Sequence, residues 1–201
     1  LKDKISQLKT EGKNVPGLVA IIVGEDPASQ IYVASKGKAC EEIGMRTKTE
    51  KLSADISEAE LLSLIQSYNQ NNDFHGILVQ LPLPKHINED KVIETISPKK
   101  DVDGFHPISV GNLVIGKDTF ASCTPAGIQE LLIRYKIETK GKHVVVVGRS
   151  NIVGKPIANI MLQKAEGANS IVTIVHSAAK DISYYTKQAD ILIAAIGKAE
   201  M

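Results

Sequence analysis

The chain has 201 residues, 43% of them hydrophobic, enough to bury one large core or two small ones. Its 24 lysines and arginines stand against 23 acidic residues, and a net charge of +1 provides no electrostatic footprint for nucleic acid or a membrane surface. The expected ligand is a small molecule in a pocket.

No apolar run reaches the roughly 18 residues of a membrane span, and no signal-peptide pattern opens the chain. Cys40 and Cys123 fall in no metal-binding or redox spacing, so a reducing, cytoplasmic setting is expected. The first residues read as a helix under way and the last follow directly on a strand. Both ends look cut, which leaves a mitochondrial targeting segment open.

From Gly17 to Gly24 the chain is continuously apolar, the pattern of a strand buried on both faces. Asp26 and Pro27 then start a helix as N-cap and first helical residue, and Gly44 closes it. Residues 45–52 alternate as a strand. Ser57 and Glu60 form a capping box ahead of a helical stripe at Leu61, Leu64, Ile65 and Tyr68. Another buried strand, 75–84, is ended by Pro82 and Pro84. Strand, helix, strand, helix, strand predicts a parallel sheet with right-handed crossovers.

Residues 98–116 have little periodicity and many turn formers, and read as a functional loop with a link to a second unit. Thr124 and Pro125 cap a helix that runs to Ile137. Strands at 142–148, 170–177 and 190–197 then alternate with helices at 154–165 and 181–189, the first half of a doubly wound, Rossmann-like fold. The expected architecture is therefore two α/β domains with a cleft between them, residues 1–120 and 121–201, without internal repeat.

The turn from Gly148 to Pro156 carries the first chemical signal. A buried strand running through a glycine turn into a helix offers free N–H groups and a positive helix end to a phosphate. An NTPase loop is excluded, because five residues separate Gly148 from Gly154 and Pro156 stands where a metal-binding hydroxyl is required. A standard GxGxxG fingerprint also fails, which leaves a variant turn with contacts from Arg149 and Ser150, or an ordinary strand-to-helix turn. At the end of the next strand stand His176, Ser177 and Lys180, with no acid before Asp181. Donors instead of a carboxylate imply NADP.

Tyr32 and Lys36 have the YxxxK spacing of short-chain dehydrogenases. There the pair follows the glycine turn, whereas here it precedes Gly148 and sits in a separate unit, so that superfamily is rejected. By spacing alone, Tyr32 reads as a core aromatic and Lys36 as a solvated charge. Gln80, near the carboxyl end of a buried strand, and Asp101 and Asp103, in a loop, add support, since ligands of open parallel sheets collect at strand carboxyl ends. The alternatives are a capping amide for Gln80 and a turn or metal site for the aspartates. No further ligands point to a metal.

Together, SQIYVASKGKACEEIGM, GILVQLPLPKHI, PKKDVDGFHP, CTPAGIQELL and VVVVGRSNIVGKP closely resemble the methylenetetrahydrofolate dehydrogenase/cyclohydrolase family, in the family's order and over almost the whole chain. The resemblance implies a homodimeric enzyme of one-carbon metabolism and purine biosynthesis. It would oxidise 5,10-methylenetetrahydrofolate with NADP and hydrolyse the methenyl product to 10-formyltetrahydrofolate. By the same resemblance, Lys36 is the catalytic lysine, Tyr32 packs on the folate, Gln80 hydrogen-bonds near Lys36, and Asp103 holds the pterin. Val79 and Leu81 line the substrate beside Gln80. Gly148, Arg149, Ser150 and Ser177 match cofactor positions.

These roles agree with elementary chemistry, because a carboxylate accepts from the pterin's N–H donors and a flat ring receives its rings. A lysine partly desolvated beside a cationic substrate can be tuned for proton transfer near neutrality. The chain departs from the family at Ser109, Ser122 and Ala179, where asparagine, proline and threonine are usual, and no proposed catalytic group is lost. The family continues with a further strand, a glycine- and proline-rich loop and a final helix, so a chain ending at Met201 is expected to be poorly active by itself. A monofunctional NAD(P)-dependent dehydrogenase and a non-catalytic dinucleotide-binding module are the alternative readings.

Overall fold

A computed structural model describes residues 1–197. Contacts divide the chain into two compact units, Leu1–Val102 and the residues from Asp103 on, whereas composition suggests a division after residue 120.

The first unit runs α1 (Lys2–Thr10), β1 (Gly17–Val23), α2 (Pro27–Ile43), β2 (Arg46–Leu52), α3 (Glu58–Gln70), β3 (Gly76–Val79) and α4 (Glu89–Thr95). Its three strands are all parallel in the order β2-β1-β3, with Gly17 opposite Arg46 and Ile21 opposite Val79. As the central strand, β1 is buried at every position. Successive side chains alternate between faces, and two cores result. Val19, Ile21, Val23, Ile77 and Val79 pack with Leu61, Ile65 and Tyr68 of α3 and Val92 of α4. Leu18, Ala20 and Leu78 pack with Val33 and Cys40 of α2. Each fully buried Val, Leu or Ile contributes roughly 1.5–3 kcal/mol.

The second unit runs α5 (Pro107–Val114), α6 (Cys123–Arg134), β4 (His143–Val147), α7 (Gly154–Leu162), β5 (Ile171–Val175), α8 (Ile182–Thr186) and β6 (Ile191–Ala194). Its order, β5-β4-β6, is again all parallel with the first strand in the middle. Val144 and Val146 face α7 and α6, while Val145 and Val147 join Val175 on the face that carries Ile182 of α8. The two parallel α/β units expected from the sequence are therefore formed, and they share one strand order although the sequence shows no repeat.

The local differences have physical causes. Within the expected loop 98–116, Pro107–Val114 is helical, started by Pro107 at its first position and by the His106 ring, whose Nδ1 accepts from Ile108 N at 3.0 Å. Serine and glycine in only eight residues hide it from propensity. The cap of α6 is Ser122 rather than Thr124, since Pro125 lies in the first turn, where no N–H is required. That helix stops at Arg134 because Lys136 adopts φ 55°. The third strand ends at Val79, before the expected prolines. The hydroxyls of Ser109 and Ser122, both departures from the resembled family, are buried without a partner among the described residues; such a group costs about 1–3 kcal/mol.

The edge strand β2 is latched to α3 by charge. The Tyr68 hydroxyl donates to Glu50, whose Oε1 also lies 2.8 Å from Lys48 Nζ, and that ammonium sits 5.6 Å from the Tyr68 ring centroid. Lys48 first, then Tyr68, holds the Glu50 carboxyl below its usual range. A carboxylate whose pKa is depressed by folding stabilises above its unfolded value and loses that contribution as pH falls through the folded one. Glu50→Gln is expected to lower stability by about 1–2 kcal/mol at neutral pH, with the difference from wild type shrinking below about pH 4, measured by denaturant unfolding across pH. An equal loss at both pH values would show that the carboxylate charge is not responsible.

Candidate active site

In the first unit the site begins with a helix held firmly at both ends. Asp26 accepts from Ser29 N at 2.8 Å at the start of α2, and Gly44, at φ 85°, receives the end. Residues 29, 33, 36 and 40 recur at helical spacing and therefore share one face; Ser29, Val33 and Cys40 are buried there. Lys36 occupies the remaining place on that stripe and is itself partly buried. An ammonium in the middle of a core-facing stripe is costly unless something compensates it. The compensation comes from Tyr32, one turn earlier and half exposed, whose ring centroid lies 4.7 Å from Lys36 Nζ. No carboxylate pairs with Lys36 among the described residues. Tyr32 is thus not a core aromatic, and Lys36 is not a freely solvated charge.

Gln80 follows the last residue of β3. Its N–H continues the ladder to Ile21 O at 2.8 Å, and its side-chain nitrogen donates to Leu81 O at 2.7 Å. Among the described residues no hydrogen bond joins it to Lys36, and its Oε1 remains available as an acceptor. The Val79 side chain, 6% exposed, belongs to the core, so only its main chain can face a ligand. Leu81 packs partly on the same core and precedes a cis peptide bond to Pro82.

Asp101 and Asp103 are separated by their surroundings. Asp101 is 2% exposed and forms a parallel bridge with Ile77 beside β3. Asp103 is partly buried and leads into Gly104, whose φ of 69° and approach to the Phe120 carbonyl leave no room for a side chain.

In the second unit the chain leaves β4 at Gly148, with φ 124°, and a Cβ there would collide with the Ala195 carbonyl at the end of β6. A Cβ on Gly154 would collide with the Gly148 carbonyl, so the second glycine lets α7 close onto the strand end. The helix start itself is not free, contrary to the sequence expectation. Ser150 Oγ accepts from Val153 N at 3.1 Å and Gly154 N at 3.2 Å, Ser150 O accepts from Lys155 N at 3.0 Å, and Pro156 has no N–H. The unspent N–H groups among the described residues are those of Arg149, Ser150, Asn151 and Ile152. The donors that a phosphate could use therefore lie in the turn and not at the helix start, and the Ser150 side chain shapes that turn. Lys155 Nζ is tied to Asn151 Oδ1 at 2.7 Å, a contact legible as an i, i+4 pair, whereas the consumed helix end has no sequence signal.

At the end of the neighbouring strand, Val147 registers with Val175, which brings the Gly148 turn beside His176 and Ser177. His176 Nδ1 accepts from Ala178 N at 3.2 Å, and Asp181 spends its carboxylate on Tyr184 N at 3.1 Å as the cap of α8. Among the described residues no acid stands between the end of β5 and Asp181, while Arg149 and Ser177 are both exposed and Arg149 has no ion pair. These residues fit a dinucleotide with a 2′-phosphate. Among the described residues no cluster of three or more His, Cys, Asp or Glu could hold a metal ion.

Residues 1–103 match the model of the tetrahydrofolate dehydrogenase/cyclohydrolase catalytic domain, and residues 122–201 that of the same family's NAD(P)-binding domain. The bifunctional protein FolD of Chloroherpeton thalassium is 62% identical over 201 residues, covering 99% of this chain and 68% of the relative. Among solved structures, the bifunctional FolD dehydrogenase/cyclohydrolase of Campylobacter jejuni superposes with a TM-score of 0.92 at 48% identity, covering 98% of this chain and 68% of that one. The Trypanosoma brucei FolD, complexed with NADP cofactor and inhibitor, superposes with a TM-score of 0.91 at 34% identity, covering 98% and 67%. The glycine turn without GxGxxG, the absent ribose carboxylate and the Tyr32–Lys36 pair thus have one common explanation: the chain belongs to the tetrahydrofolate dehydrogenase/cyclohydrolase family.

Proposed function

We infer that this protein oxidises 5,10-methylenetetrahydrofolate with NADP to the 5,10-methenyl compound and hydrolyses that product to 10-formyltetrahydrofolate. The observation that carries the hydrolytic half is Lys36, an ammonium on a core-facing stripe with an aromatic face beside it and no ion pair among the described residues. NADP, when bound, accepts the hydride. The residues of this chain bind and orient: the N–H groups of the Gly148 turn receive phosphate, and Arg149 and Ser177 receive the 2′-phosphate. Tyr32 offers its half-exposed ring to the flat folate, and Asp103 accepts from the pterin's N–H donors.

In hydrolysis, the water oxygen bonds to the methenyl carbon and one of its protons is released to solvent; the remaining hydroxyl proton then leaves as the formyl C=O forms and the bond from that carbon to N5 breaks, and N5 takes up a proton. Lys36 is the group that carries this proton, and the free Oε1 of Gln80 orients its donors. Val79 and Leu81 contribute main-chain contacts beside Gln80.

A homodimer working in the cytoplasm, and a supply of 10-formyltetrahydrofolate to purine biosynthesis, complete the reading. Support for the dimer comes from β5, an edge of the described sheet that exposes Ile171 at 63% and Ile174 at 42%. The cytoplasmic setting fits the two free cysteines.

The deciding experiment supplies methylenetetrahydrofolate with NADP or NAD to the purified full-length protein and follows reduced cofactor and methenyl decay separately. Reduction without decay would leave a dehydrogenase only, and neither signal would exclude an enzyme of this class. Lys36→Met is expected to lower methenyl decay by a factor of about 100 or more; unchanged hydrolysis would remove Lys36 from the chemistry. Arg149→Ala is expected to weaken NADPH binding about tenfold or more, with NADH little affected, as measured by fluorescence titration. Equal losses for both cofactors would place Arg149 elsewhere than at the 2′-phosphate. Sedimentation equilibrium is expected to give twice the chain mass, and a monomer at all concentrations would overturn the dimer.

A further inference from the structure

Lys100 has no assigned role, and its surroundings are unusual for a lysine. It follows α4 and begins the sequence Lys100-Asp101-Val102-Asp103-Gly104. Its ammonium donates to Tyr68 O at 2.8 Å and to Asn71 O at 2.7 Å. Those carbonyls lie at the carboxyl end of α3, where helix geometry leaves acceptors unpaired and a cation is favoured by the helix dipole. Partial burial pushes Lys100 below the usual lysine range, a cost that the two carbonyl acceptors offset.

The main chain of the same residue is also anchored. Lys100 O accepts from Ile77 N at 2.8 Å and from Val102 N at 3.0 Å, while Lys100 N donates to Ser97 O at 2.7 Å. Asp101 continues the bridge to Ile77. Just upstream, Asn69 of α3 donates to Thr95 O at 2.7 Å and accepts from Ser97 N at 2.8 Å. One helix end thus holds the segment from Thr95 to Val102 at both side chain and backbone. Asp103 is the next residue of the chain.

We propose that Lys100 is a positioning residue for folate binding, fixing the main chain from which Asp103 starts by clamping it to the end of α3. This rests on the reading that Asp103 holds the pterin. A lysine is suited to the task because three rotatable donors on one atom can meet two carbonyls that face a strand edge. A hydrophobic side chain of equal length would leave Tyr68 O and Asn71 O only their long main-chain bonds, from Asn71 N at 3.3 Å and Phe74 N at 3.4 Å, and would cut the tie to residue 100.

The test uses the full-length protein and compares the KM for methylenetetrahydrofolate with that for NADP, together with folate affinity by calorimetry. Lys100→Met is expected to raise the folate KM and Kd about tenfold with the NADP KM within twofold, and Lys100→Arg, which keeps the donors, to recover most of the loss. A parallel change in both KM values, or no change in either, would overturn the proposal whatever happens to thermal stability. If the methionine variant does not fold, Lys100→Gln is judged by the same criterion. Asp103→Asn serves as the reference: if it leaves folate affinity intact, the role of Asp103 falls, whereas a weakened Asp103 variant beside an unaffected Lys100 variant sinks the clamp alone.

Discussion

In each unit the first strand pairs in parallel with both of its successors, one on either side. With right-handed crossovers, the first connection runs to one side of the central strand and the second back past it to the other, so the two crossover helices cover opposite faces and the strand order reverses at the central strand's carboxyl end. Gly24 stands there in the first unit, with α2 following, and Gly148 in the second. The chemistry-bearing groups of both units are grouped by this constraint. Tyr32 and Lys36 ride on the helix that leaves β1, Gln80 follows the strand paired to it, and Arg149, His176 and Ser177 leave the paired strands β4 and β5.

Each group is then held by local physics that differs from what its motif suggests. The turn after β4 spends its helix-start donors on Ser150, which removes the helix N-terminus as a direct phosphate ligand and leaves the preceding peptide groups for that purpose. A serine in this position sets the loop's shape through its own hydroxyl. Lys36 shows the opposite case. Its place on a core-facing stripe works against the charge, and the Tyr32 ring returns part of the lost solvation without neutralising it.

Much of this was legible beforehand wherever a local rule acts alone. The continuous apolar runs of β1 and β4 identify central strands because both faces are covered, and Asp26, Pro27, Ser57, Glu60 and Gly44 mark helix ends through backbone hydrogen bonds they make themselves. The stripe of α3 was visible at Leu61, Ile65 and Tyr68. Pro107–Val114 escaped, because its serine and glycine give no propensity and its stability comes from packing, with Leu113 joining the core around α7. The stripe on α2 was available from spacing too, but only burial shows that Lys36 lies on its inner face.

The sequence by itself determined two parallel α/β units, the order of their elements, the glycine turn that excludes an NTPase, and the lack of a ribose-binding acid; all depend on residues close together in the chain. The tertiary structure alone decided that Asp101 is buried in a bridge beside β3 while Asp103 is only partly covered, that Asp181 is spent on a helix cap, and that Lys100 closes the end of α3. The physical reason is the range of the interactions. Caps, turns and periodicity act within a few residues, whereas an unpaired carbonyl finds its donor only when packing brings a distant segment to it.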